Sequence, residues 1–147
     1  MESEAFKQHG SLHRAIDIAL WMNFKYRMQN RSYVVIQDKK TKLYQVVTKE
    51  GRRKGSYIAL PQNYNQMDYE QIATLRSQKC PLNHWEEIMG LFSSSHGEIL
   101  RFILQYQVPL ERIIRYELAS RGYDKNHQWV GYDKANEIWL INTDLEK

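Results

Sequence analysis

Three short runs of aromatic and β-branched residues follow one another in the first half of the chain: Tyr33-Val34-Val35-Ile36, Tyr44-Gln45-Val46-Val47-Thr48 and Ser56-Tyr57-Ile58-Ala59-Leu60. Side chains of this kind favour strands. The polar connectors, residues 37–42 and 49–55, are far too short for the crossover that a parallel pair requires. The spacing therefore predicts a three-stranded antiparallel meander, closed by Pro61. Ahead of it, Leu12, Ala15, Ile16, Ala19 and Leu20 recur with the helical period, with Ser11 placed to cap. One helix over residues 12–29 can thus cover one face of the sheet.

The polar stretch 62–66 is the only internal boundary in the sequence, and the chain beyond it reads as helix. Asp68 with Gln71 and Ser95 with Glu98 have the spacing of capping boxes. Pro81 and Pro109 suit first helical positions, Gly122 suits a helix end, and Asp133 suits the cap of a last short helix. The expected fold class is α+β. An N-terminal helix on a basic three-stranded antiparallel sheet (residues 1–64) precedes a mainly helical segment (residues 65–147), which packs with the first as a single domain or stands beside it.

At 147 residues, 42% hydrophobic and 26% charged, the chain has the composition of a globular domain with a core. Its single cysteine, Cys80, rules out an internal disulfide and a four-cysteine zinc site. No apolar run nears the roughly 20 residues that span a bilayer, and the N-terminus lacks the apolar core of a signal peptide. A cytoplasmic protein with no membrane association is expected.

Motifs for catalysis are missing. There is no Gly-x-Ser-x-Gly elbow, phosphate-binding glycine loop or dinucleotide fingerprint. His9 with His13, and His84 with Glu87, could share helical faces, but no third zinc ligand joins either pair. Residues 124–135 begin like a calcium loop, yet Trp129 and Ala135 stand where glycine and glutamate are needed. Cys80 lies one turn before His84, an arrangement more often structural than catalytic. No enzyme activity, metal or cofactor is expected.

Charge points elsewhere. Residues 1–64 carry 12 Lys/Arg against 5 Asp/Glu, whereas residues 65–147 carry 9 against 12. The basic excess gathers at the two turns, on Lys39, Lys40 and Lys42 and on Arg52, Arg53 and Lys54. With Tyr33, Tyr44 and Tyr57 on the strands, these predict contacts to nucleic-acid backbone and bases. Residues 102–123 resemble a helix-turn-helix in outline, with Gln107 where glycine is usual and with Phe102, Ile103, Tyr106, Val108, Ile113 and Tyr116 as its buried positions. A polar loop and a short strand at Trp129-Val130 would come next, in the order of a winged helix. Arg112 and Arg115 lie outside the apolar stripe and are candidate contacts, although Glu111 and Glu117 beside them would repel phosphate. The leading expectation is a small nucleic-acid-binding protein. Its rival is a protein-interaction module, such as an inhibitor or adaptor, gripping a partner through an open aromatic sheet face.

Overall fold

A computed structural model describes residues 7–53 and 55–141. Lys54 lies outside the described residues. The fold is mixed helix and sheet, in two compact units, Met1–Ser94 and Ser95–Lys147. The division falls well beyond the polar stretch at 62–66. The helices after that stretch send Leu75, Leu82 and Trp85 into the same buried cluster as Ala15, Ile18 and Val35.

In the first unit, helix α1 (Leu12–Lys25) starts where Ser11 Oγ accepts a hydrogen bond from Arg14 N at 3.2 Å. It stops short of residue 29. Asn23 donates to Tyr33 O at 3.0 Å and accepts from Tyr33 N at 2.7 Å, fastening the helix end to the first strand. Strands β1 (Tyr33–Gln37) and β2 (Tyr44–Thr48) form one antiparallel pair, with Val35 opposite Val46. The expected third strand does not form. Its segment contributes a single bridge, Ile58 N to Val35 O at 2.7 Å. Gly51 and Gly55, both at positive φ, turn the chain sharply before it, and Pro61, which has no N–H, ends the run.

Helix α2 (Tyr69–Ser77) carries the expected capping box between Asp68 and Gln71. Helix α3 (Asn83–Ser93) begins after Leu82 rather than at Pro81. The core lies between α1 and the hairpin, where Ala15, Ile18, Ala19 and Val35 are wholly buried. Tyr33 belongs to this core, and Tyr44 packs against it.

The second unit holds α4 (Gly97–Gln105), α5 (Leu110–Arg121) and α6 (Tyr132–Asn136), which runs on into a π-helical turn, Glu137–Ile141. The capping box expected at Ser95 and Glu98 is replaced by an uncapped start at His96, and Glu98 pairs with Arg101. Gly131, not Asp133, sits at the N-cap of α6. Gly122 ends α5 in the left-handed conformation, φ 78°. A Cβ there would lie 2.5 Å from the Trp129 ring, so glycine is required both by the backbone and by the indole. The next loop is closed by Asp124 Oδ1, which accepts from Asn126 N and Gln128 N. Tyr123 and Trp129 meet in one bridge, short of a strand, and Trp139 Nε1 donates to Tyr123 O at 2.9 Å.

Candidate functional site

The basic residues do not converge. Lys39, Lys40 and Lys42 are exposed in the turn between β1 and β2, while Arg52 and Arg53 are exposed in the turn after β2. An antiparallel pair puts these turns at opposite ends. Five residues of strand separate them, or roughly 17 Å at about 3.3 Å per residue. The lysine turn is built around an anion: Asp38 Oδ1 accepts from Lys40 N and Thr41 N, which holds its carboxyl below the usual range. Arg52 folds back, Nε donating to Thr48 O at 3.1 Å, and Lys49 lies over the Tyr57 ring. The expected open aromatic face is absent from β1, because Tyr33 is buried.

In the second unit, Arg112 is exposed on α5. Arg115 is not a surface contact. It reaches Glu111 Oε1 at 3.3 Å and Trp139 O at 3.4 Å, and its side chain is only 18% exposed. It ties α5 to the π-helical turn. Gln107 adopts φ 51°, the left-handed conformation for which glycine is usual, so the joint between α4 and α5 is a tight turn. The positions expected to be buried around that joint are not: Phe102, Tyr106, Ile113 and Tyr116 are all more than half exposed. No third helix closes over them among the described residues.

Helix α4 is the extreme case. It is strongly amphipathic yet has no buried residue. Ile99, Phe102, Ile103 and Tyr106 recur at i, i+3, i+4 and i+7, which lines them along one side. Ile99 is 54% exposed, Phe102 54% and Tyr106 67%, and the Phe102 and Tyr106 rings sit 5.1 Å apart. A helix of nine residues is shorter than the roughly 12–15 that hold helix unaided in water, so its stability has to come from packing.

Polar groups are also buried in the first unit, and sequence reasoning missed them. Asp17 sits among the apolar residues of α1 at 6% exposure and accepts from the Tyr64 hydroxyl at 2.7 Å. Burial pushes its carboxyl above the ordinary range; the Tyr64 hydrogen bond and the nearby His13 pull the other way. Trp85 Nε1 is buried without a hydrogen-bond partner, yet lies near enough to Asp17 to favour its charged form. His84 stacks on Trp21 at 4.7 Å with nearly parallel rings, its Nδ1 unpartnered, and burial holds its pKa below the usual value. The one sequence signal is a lone carboxylate between Ile16 and Ile18. Cys80 is an exposed free thiol and precedes the helix cap, which is Leu82. Among the described residues no three His, Cys, Asp or Glu side chains gather as a metal site.

No helix among the described residues is long and apolar enough to cross a membrane. Comparison with protein-family models, with curated proteins and with solved structures finds no match to this chain.

Proposed function

We propose that this protein is a non-enzymatic interaction module that offers α4 to an apolar groove on a partner protein. The observation that carries this is the apolar ridge of Ile99, Phe102, the half-buried Ile103 and the cap residue Tyr106, three of them exposed, along a helix too short to stand alone. Helices that dock in grooves use anchors at i, i+3, i+4 and i+7, and two of these four are aromatic, the class enriched at binding hot spots. The setting is cytoplasmic, where Cys80 stays a thiol.

The test is a variant with Ile99, Phe102, Ile103 and Tyr106 all changed to serine. Proteins captured by the parent chain are purified and titrated against parent and variant. A partner that loses at least about 100-fold in affinity for the variant, with the first unit still folded, supports the proposal, because losing several anchors costs multiple kcal/mol. A partner indifferent to the four changes contradicts it. So does a parent that sediments as a dimer which the variant breaks, since a second copy then occupies the ridge.

A second reading is nucleic-acid binding, favoured by the exposed cations at both hairpin ends. Being roughly 17 Å apart, the two turns would meet phosphates separately. Removing Arg52 and Arg53 together would then lower the salt slope for generic duplex by about two units. A parent that binds neither DNA nor RNA at low salt removes this reading.

A further inference from the structure

The first unit contains a cavity of about 240 Å³ between α1, the segment 61–67 and α2. That is slightly below the roughly 300–1,000 Å³ of pockets for drug-sized ligands, so its occupant is small. Asp17 and Tyr64 line it, hydrogen-bonded to each other at 2.7 Å. Arg14, one helical turn earlier, stands in the same wall and donates to Gln78 Oε1 at 3.3 Å. Met67 and Leu75 supply apolar surface. Residues at i and i+3 of a helix have Cβ atoms about 5–6 Å apart. The cavity therefore sets the Asp17 carboxylate close to Arg14 on one helix face, with His13 also in the lining, beside an apolar patch, which suits a small zwitterion. Burying a carboxylate is costly; the nearby His13 and Arg14 offset part of that cost, and a ligand ammonium placed against Asp17 would offset more of it.

We infer that this cavity binds a free α-amino acid with an apolar side chain, its ammonium group on the Asp17–Tyr64 pair, its carboxylate toward Arg14 and its side chain on Met67 and Leu75. Tyr64 donates to Asp17 Oδ1, and the ligand ammonium would meet the carboxyl beside that bond. The Arg14 charge acts on the ligand carboxylate from the wall while the side chain keeps its bond to Gln78.

The experiment titrates the full chain with L-leucine and L-methionine by calorimetry and by amide chemical shifts, up to about 10 mM, a concentration that detects even millimolar affinity. Two leucine analogues run beside them: 4-methylpentanoate, which lacks the ammonium group, and 3-methylbutylamine, which lacks the carboxylate. Saturable binding of either amino acid, with each analogue at least about tenfold weaker, is the expected result, since a charge-assisted hydrogen bond is worth that much. Asp17→Asn should lose about tenfold or more, and Tyr64→Phe somewhat less. Should Asp17→Asn fail to fold, Tyr64→Phe carries the comparison. The inference is overturned if neither amino acid binds, if an analogue binds as tightly as leucine, or if the folded variants bind as the parent does. The four-serine variant of α4 should bind leucine normally, which separates this site from the partner ridge.

Discussion

The two units differ in how far they build a core from their apolar residues. The first builds a closed core, with Ala15, Ile18, Ala19, Val35 and Val46 essentially inaccessible between α1 and the β1–β2 hairpin, although Phe24, Tyr69 and Leu91 on its surface stay exposed. In the second, only Ala119, Gly122 and Ala135 are buried among the described residues, while Ile99, Phe102, Tyr106, Ile113, Tyr116, Trp129 and Tyr132 stay more than a third exposed. Both units have helical periodicity and both are rich in large side chains. The difference is closure. In the first unit the hairpin lies across α1 and removes its stripe from water. In the second, α5, α6 and the π-helical turn pack on one another, and α4 has no such cover among the described residues. A unit that closes on itself has its stability in its own core; one that leaves a ridge open carries the surface on which the proposed partner binding rests.

The sharpest way to break this contrast is to truncate one apolar residue in each unit. Ile18→Ala should cost about 2–5 kcal/mol, because it opens a cavity in a filled core. Ile99→Ala should cost less than about 0.5 kcal/mol in the free protein. Denaturant unfolding measures both, and equal costs would mean that α4 is covered in solution. Next in size is Gly122→Ala, which forces a side chain into the Trp129 ring at a left-handed residue. A loss of about 2 kcal/mol or more, confined to the second unit, is expected by near-ultraviolet circular dichroism. Gln107→Gly should act in the other direction, relieving φ 51° and stabilising the second unit by about 1 kcal/mol.

The smallest effect is on pH dependence and belongs to the first unit. Burial lowers the His84 pKa from its ordinary 6.5, so the unfolded chain takes up the proton first. Its contribution is full above 6.5 and is lost as pH falls from there through the depressed folded value. Asp17 has the reverse sign: its pKa is raised from 3.8, so its contribution is full below 3.8 and is lost as pH rises through the folded value. As pH drops below 6.5 the His84 contribution should lower the melting temperature while that of Asp17 acts the other way, so His84→Gln should melt higher relative to the parent as pH falls below 6.5. An unchanged slope in the variant would mean that His84 is not the group responsible.

Much of the fold is legible in the sequence where the signal is local. Ser11 and the Asp68–Gln71 pair cap helices, the β1–β2 hairpin follows its β-branched runs, and Gly122 ends α5, because each depends on neighbours along the chain. The features that mislead depend on distant packing. Ser56-Tyr57-Ile58-Ala59-Leu60 has the composition of a strand, but only Ile58 reaches β1. Polarity marks a boundary at 62–66, yet Leu75, Leu82 and Trp85 return to the first core. On α4 the helical period is plain but its meaning is not, since an amphipathic stripe is identical in sequence whether it faces a core or a partner. Arg115 has the pattern of a surface cation because its acceptor, Trp139 O, lies far along the chain. The buried Asp17 leaves only a faint sign, a carboxylate set between two isoleucines.

Amide hydrogen exchange on the purified monomer tests most directly whether α4 is an open ridge. The amides of α1 should be protected to the level of global unfolding, whereas those of α4 should exchange within about tenfold of unstructured rates, because a short helix without tertiary cover opens locally. Protection of α4 equal to that of α1, in a sample shown by sedimentation to be monomeric, would contradict the account.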